Sequence, residues 1–338
     1  MPSKSDVLAA GVRAVLPHLD ASSLAGKRLF ITGGTGFFGL WLLSTLKELG
    51  TVPTCVLSRD PEAFLTRHPQ FRDQAWLSFA PGNVRDFDFP HGGFDLLIHA
   101  ATETSATAHA AAGQMFDDIV QGSRRVLAFA RQAGVQRVLL TSSGAVYGPQ
   151  PGELTHQPDD STLACNTLNP TSAYGEGKRV MEMLGTLSGL PCVTARCFAF
   201  SGPGLPIDDH FALGNFVRDA LQAEAVTVGG DGTPLRSYLH GADLAVWLLT
   251  LLMRGEAGTA YNVGSDEAIS IADLAHTIRD TLAPGKPVRV MQQAPIAGMQ
   301  ARQRYVPGVV RARALGLAPW TPMAQSVQDM AAYLHAEA

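Results

Sequence analysis

The sequence predicts an α/β fold: a doubly wound, parallel sheet with helices on both faces, followed by a smaller C-terminal lobe. Three observations predict it. Short, continuous apolar runs alternate with stretches of helical period across residues 26–200. Three glycines, Gly33, Gly36 and Gly39, join the first of these strands directly to the first helix. Beyond residue 198 the segments shorten, and Gly and Pro punctuate them at 202–206, 229–234 and 284–287.

The elements can be justified in order. Val7, Leu8, Val12, Val15, Leu16 and Leu19 recur at helical spacing. Residues 5–19 are therefore expected to form an amphipathic helix in an N-terminal extension, 1–25, packed on the main fold or on another subunit. Arg28 to Thr32 is the first strand, and the helical pattern after the glycines runs from Leu40 to Leu49. Further strands are read at Thr54 to Ser58, Phe94 to Ala100, Arg137 to Ser142 and Cys192 to Arg196, with helices at 114–133 and 174–188. Strands this apolar are buried on both faces. Helical patterns return at 210–222, 241–253, 270–282 and 322–335. Residues 201–338 are assigned mainly to a substrate-binding lobe, with 241–255 returning to the large domain. No internal repeat is present, and the only biased tract is the Ala-rich patch at 106–112.

Composition bounds the function. With 338 residues, 46% hydrophobic and 17% charged, the chain can build a substantial core. A net charge of −4 without a basic run leaves no electrostatic footprint for nucleic acid or an anionic membrane. No run of about 20 apolar residues is available to span a bilayer, and residues 1–20 lack the apolar core of a signal peptide. Cys55, Cys165, Cys192 and Cys197 form no Cys-x-x-Cys pair and no His/Cys cluster at zinc spacing. A cytoplasmic protein is expected, with no metal and no nucleic-acid or membrane partner.

The glycine loop carries chemistry because of where it sits. In a Rossmann-type domain, here 26–200, Gly33 permits the tight turn after the strand. Gly36 lets the backbone approach a pyrophosphate, and Gly39 lets the helix pack close to the strand. The helix N-terminus, with Thr35, Phe37 and Phe38 around it, then offers amide donors to the phosphates. No Gly-Lys-Ser/Thr follows, which argues against a triphosphate P-loop. The second strand ends in Leu57-Ser58-Arg59. A carboxylate is absent at Ser58, and Arg59 is placed to accept a 2′-phosphate, so NADP is favoured over NAD.

Tyr174 and Lys178 stand four residues apart, one helical turn, so their side chains share a face. A cation beside a phenol draws its pKa below the usual value of about 10 and suits it to proton transfer. The same spacing arises in helices where the tyrosine merely packs and the lysine is solvated, so the surrounding segments decide.

Those segments are Thr141-Ser142-Ser143-Gly144-Ala145-Val146-Tyr147-Gly148, with Ser143 lying 31 residues before Tyr174; Gly82-Asn83-Val84-Arg85-Asp86; and Gly230 to His240 with Asp243. With the glycine loop and the Tyr-x-x-x-Lys pair, in this order, they resemble the extended short-chain dehydrogenase/reductase family, in particular its nucleotide-sugar epimerase, dehydratase and reductase group. The resemblance runs from about residue 26 to 330. It implies that Tyr174 is the catalytic acid/base, that Lys178 supports it and holds the nicotinamide ribose, and that Ser143 hydrogen-bonds the reacting oxygen. It places Asn83 and Val84 at the adenine, and Ala100, Ala101 and Thr102 along the cofactor. Arg236 would pair with the substrate diphosphate. Arg302 and Arg304 are further substrate candidates, and Phe211 and Asn215 are placed at the base. A homodimer is expected.

The departures narrow the reaction. The 4,6-dehydratases of this group carry aspartate and glutamate directly after the catalytic Ser/Thr, and its decarboxylases also need a glutamate nearby. Here those positions are Gly144 and Ala145, which cannot move a proton. Many relatives have asparagine where Ala199 stands. Hydride exchange at a carbinol or keto carbon, C4 above all, is what remains, as a 4-epimerase or a 4-keto reductase. Two alternatives stand beside it: a dinucleotide-binding regulator without catalysis, and a reductase of a non-sugar ketone or aldehyde. Retention of Ser143, Tyr174 and Lys178 opposes the first. Arg236 and Ala260-Tyr261-Asn262-Val263-Gly264 oppose the second. His99, His109, His210 and His240 are assigned no role.

Overall fold

The computed structural model describes residues 2–102, 110–207, 211–292 and 303–337. Helix α1 (Lys4–Val15) opens with a capping box, Ser3 and Asp6 satisfying each other's backbone N–H groups. Its apolar face, Leu8, Val12 and Val15, joins the main core, so the N-terminal extension packs on its own chain. Strand β1 (Leu29–Thr32) and helix α2 (Phe37–Leu49) flank the glycine loop, and Gly50 closes α2 in the left-handed conformation. Next come β2 (Thr54–Ser58), α3 (Pro61–Arg67), β3 (Leu77–Pro81), β4 (Leu96–His99), α4 (Ala112–Gln132), β5 (Arg137–Ser143), α5 (Ala173–Leu187) and β6 (Cys192–Cys197).

The C-terminal part contains β7 (Phe200–Ser201), α6 (Ala212–Gln222), β8 (Val226–Val228), β9 (Leu235–Arg236), β10 (Leu239–His240), α7 (Gly241–Arg254), β11 (Ala260–Val263), β12 (Ile269–Ser270), α8 (Ile271–Leu282), β13 (Val288–Val290), β14 (Arg304–Tyr305), α9 (Val310–Ala314) and α10 (Met323–His335). Seven strands pair in the order β11-β6-β5-β4-β1-β2-β3, every neighbouring pair parallel. That is the Rossmann-type order, with its reversal between β1 and β4.

The four residues of β1, of β4 and the five of β2 are all buried, which is why each reads as an unbroken apolar run. One core, with α2 and α7, covers one sheet face; a second, with α4 and α5, covers the other. Helix α7 is buried around nearly its whole circumference and lies against α2, where Gly241 leaves no room for a side chain beside Trp41. The seventh strand, β11, also comes from the range assigned mainly to the lobe. A third core, with Leu213, Phe216, Val217, Leu274, Ile278, Val327 and Met330, holds the lobe itself. Among the described residues no helix is long and apolar enough to cross a membrane.

Candidate active site

The C-terminal ends of β1, β4 and β5 meet the N-terminus of α2 at the reversal point of the sheet. Gly33 has a φ of +74° and its missing Cβ would overlap the Ala100 carbonyl, so the turn rests directly on the chain leaving β4. A Cβ on Gly39 would overlap the backbone of Gly34. The close approach that Gly39 allows is thus between the helix and the loop, not between helix and strand as the sequence suggested. Gly36 is the N-cap of α2, and a Cβ there would meet only the Gly33 carbonyl, at 3.7 Å. Gly36 is exposed, and the amides of the α2 first turn behind it are the donors a pyrophosphate there would take. The ring of Phe38 turns away, edge-on to Phe200 at 4.9 Å.

At the end of β2, Ser58 Oγ accepts the Asp60 N–H (3.2 Å), and Asp60 Oδ1 caps α3 by accepting the Ala63 N–H (2.9 Å). Asn83 Oδ1 accepts the Arg85 N–H, and Val84 packs over Gly122 of α4.

Ser143 ends β5, and its Oγ accepts the Ala145 N–H at 3.1 Å, capping the turn Gly144–Tyr147. Helix α5 begins against that turn. A Cβ on Gly175 would lie 2.7 Å from the Ala145 carbonyl, so a glycine next to Tyr174 is what brings the helix down beside Ser143. The buried Lys178 donates to Thr102 Oγ1 (2.8 Å) and to the Thr141 carbonyl (2.7 Å), and its Nζ lies 5.9 Å from the centre of the Tyr174 ring. Two of its three N–H groups thus tie α5 to the ends of β4 and β5. Burial brings its ammonium down to about 8, while Cys197 and Glu182 pull the other way. The Cys197 thiol is itself pushed up to about 12 by burial and stays neutral, so Glu182 is the anion that supports Lys178.

Several contributors escaped the sequence reading. His99 is buried and pushed down to about 3 by desolvation and by Lys178, so it is neutral. Ser123 Oγ donates to the Ile119 carbonyl, so it must accept from His99 Nε2 (3.2 Å), which leaves Nδ1 to accept from Thr32 Oγ1 (2.7 Å). Thr32 in turn accepts the Ala101 N–H. His99 thereby fixes the turn bearing Ala100, Ala101 and Thr102 without a proton to exchange. On the far side of Ser143, Glu182 accepts from Ser142 Oγ (2.5 Å) and forks onto Arg196 (3.0 and 2.7 Å).

Gly144 is the most informative position. A Cβ there would stand 2.7 Å from Phe198 Cζ and 2.7 Å from the Tyr305 hydroxyl. The two rings pack 4.6 Å apart and fill the space an acidic side chain would need. Tyr305 lies on β14, directly beside Arg236 on β9, so the structure brings Arg236 to this end of the site. Arg304 reaches the Thr155 carbonyl at 3.1 Å, and Asn215 Oδ1 accepts from Arg218 at 3.2 Å. Arg302, His109 and His210 lie outside the described residues. Among the described residues no cluster of His, Cys, Asp and Glu is built to hold a metal.

The fold and this site define a dinucleotide-dependent α/β enzyme class. The chain belongs to the NAD dependent epimerase/dehydratase family, whose model matches residues 29–264. It is 29% identical to UDP-glucuronic acid decarboxylase 5 of Arabidopsis thaliana over 292 residues, 80% of this chain and 79% of that one. The UDP-glucose 4-epimerase of Thermotoga maritima, solved with UDP-glucose, superposes with a TM-score of 0.76 over 91% of this chain and 98% of that one, at 19% identity. The dTDP-glucose 4,6-dehydratase of Streptomyces venezuelae, solved with NAD, superposes with a TM-score of 0.75 over 89% and 96%, at 25% identity.

Proposed function

We propose that the protein interconverts a carbinol and a ketone at C4 of a nucleoside-diphosphate sugar, as a 4-epimerase. A bound nicotinamide supplies the hydride acceptor and donor. Tyr174 takes the proton from the sugar hydroxyl on oxidation and returns it on reduction. Ser143 hydrogen-bonds that oxygen, and Lys178 favours the phenolate and lies by the cofactor ribose. The loop Gly33, Thr35, Gly36, Phe37, Phe38 and Gly39 holds the pyrophosphate; Ala100, Ala101 and Thr102 run along the cofactor, with Asn83 and Val84 at the adenine. Arg236 pairs with the substrate diphosphate, aided by Arg304, with Asn215 nearer the base. The working unit is a homodimer in the cytoplasm.

The observation that carries this reading is the crowding at Gly144. Dehydration needs an acid directly after the serine, where two rings occupy the place, and decarboxylation needs a glutamate nearby, where Ala145 offers only a methyl group. Of the nearby carboxylates, Glu182 is held by the Arg196 fork, whereas Glu176 has a 3.6 Å contact from Arg179 to one oxygen and keeps the other buried without a hydrogen-bond partner. Arg59, directly after the end of β2, favours a second reading: NADPH-dependent reduction of a 4-keto sugar. Incubation with UDP-, GDP-, CDP- and dTDP-sugars and NAD, and with the corresponding 4-keto sugars and NADPH, separates the two. The first predicts a C4-inverted sugar without net cofactor consumption; the second predicts stoichiometric NADPH oxidation. Release of carbon dioxide or formation of a 4-keto-6-deoxy sugar overturns both.

A further inference from the structure

Glu182 lies one helical turn beyond Lys178, on the same face of α5. Its Oε1 accepts from Ser142, the residue before Ser143, and both oxygens take the fork of Arg196 on β6. Arg196 also donates to the Tyr147 hydroxyl (2.9 Å) and lies over that ring, 4.8 Å from its centre. Ser142 and Tyr147 bracket Ser143 and its turn, so one carboxylate governs both sides of the serine. We infer that Glu182 is a positioning residue of the acid–base site: it holds Ser143 in register with Tyr174 and Lys178 and keeps a negative charge beside the Lys178 ammonium. The inference rests on the proposed acid–base roles of those residues.

The charged and titratable groups around Lys178 limit what else could set its state. His99 at the end of β4 is neutral, and Cys197 on β6 remains a thiol. Thr102 and the Thr141 carbonyl are uncharged acceptors. Arg196 is bound to Glu182; burial works against its cation, and the Glu182 and Tyr147 contacts more than offset it. Asp159 acts further out, on Tyr147. With Cys197 a neutral thiol, the charge that opposes the burial of Lys178 is that of Glu182.

The test titrates Lys178 directly, by NMR of protein 13C-labelled on lysine, with its resonance assigned by its loss in Lys178→Arg. Glu182→Gln should move the Lys178 titration down by about half a pH unit or more, at an effective dielectric near 20. Glu182→Asp, which keeps the charge but shortens the reach, should leave that titration in place and lower kcat. If Glu182→Gln does not fold because Arg196 is left unpaired, the double variant Glu182→Gln, Arg196→Gln replaces it, with a smaller downward shift expected because the Arg196 cation is lost with the carboxylate. An unchanged Lys178 titration in a folded variant overturns the inference. Because this readout needs no substrate, it separates from the reading of function: a shifted titration with no nucleotide sugar turned over leaves the inference standing and removes that function.

Discussion

Gly144→Ala is the sharpest probe of the site, because it adds one methyl group where two rings already meet. The glycine is not among those with positive φ, so the backbone accepts a side chain and any effect is steric. The new Cβ would lie 2.7 Å from Phe198 Cζ, 2.8 Å from Phe198 Cε1 and 2.7 Å from the Tyr305 hydroxyl. Ordinary carbon contacts begin near 3.5 Å, so both rings must retreat by roughly 1 Å. Overpacking of this kind costs about 1–3 kcal/mol. For a chain of this size that lowers Tm by about 1.5–4 °C, readable by scanning fluorimetry. The rings adjoin Ser143, and a displacement of about 1 Å at a reacting centre can cost about a hundredfold in rate. A loss in kcat/KM should therefore accompany the fall in Tm. Tyr305→Ala opens the space, so Gly144→Ala should cost less in that background, with a coupling of about 1 kcal/mol or more in the double-mutant cycle. Wild-type Tm and kinetics for Gly144→Ala, or additivity with Tyr305→Ala, would refute the aromatic wall and with it the steric case against an acid at 144.

Tyr174→Phe keeps the ring and removes the proton, so turnover should fall by about a hundred- to ten-thousandfold while dinucleotide binding, followed by fluorescence titration, is retained. Lys178→Met should raise Tm at pH 7. The ammonium is brought down by burial from 10.5 to about 8, so it burdens the folded state below pH 8 and is relieved as pH climbs through that range. The advantage of the variant, less the two hydrogen bonds it loses, should therefore narrow between about pH 8 and 10.5; a constant gap would contradict a buried ammonium. Arg59→Ala should weaken NADP binding about ten- to a hundredfold and NAD binding little, and equal losses for both cofactors would remove the 2′-phosphate role.

Much of the large domain was legible because its signals are local. β2 coincides with its apolar run, and the glycine loop declares both the end of β1 and the start of α2. The third strand escaped notice for a physical reason: Leu77–Pro81 is an edge strand, half exposed and ending in proline, and carries no continuous apolar pattern. β11 is a short strand with an asparagine in it, and only its pairing with β6 defines it. In the site, the residue types of the Tyr174 and Lys178 pair and of Ser143 were visible, but not what brings them together. Gly175 reads as a weak helix former, and its purpose appears only when the Ala145 carbonyl is seen beneath it. Gly144 read as a missing acid, whereas Phe198 and Tyr305, distant in sequence, make it a filled space.

The same long-range logic explains the segment Ala260 to Gly264, which the sequence marked without giving it a task. Asn262 is wholly buried and its amide is fully used: Oδ1 accepts from Tyr147 (2.8 Å), and Nδ2 donates to the carbonyls of Gln157 (2.8 Å) and Gly308 (2.9 Å). Its backbone N–H goes to Asp159, whose other oxygen takes the Arg311 N–H. A Cβ on Gly264 would press on Pro307 and Phe198. One polar chain therefore runs from Glu182 through Arg196, Tyr147 and Asn262 to the segment that presents Tyr305 over Gly144. An apolar core would tolerate a small slip between these pieces, but a buried network tolerates none without leaving a polar group unpaired. The register that sets Ser143 against α5 and the register that sets the aromatic wall over Gly144 are in this way fixed by one set of bonds. Asn262→Leu, which breaks three of them at once, should disturb both together.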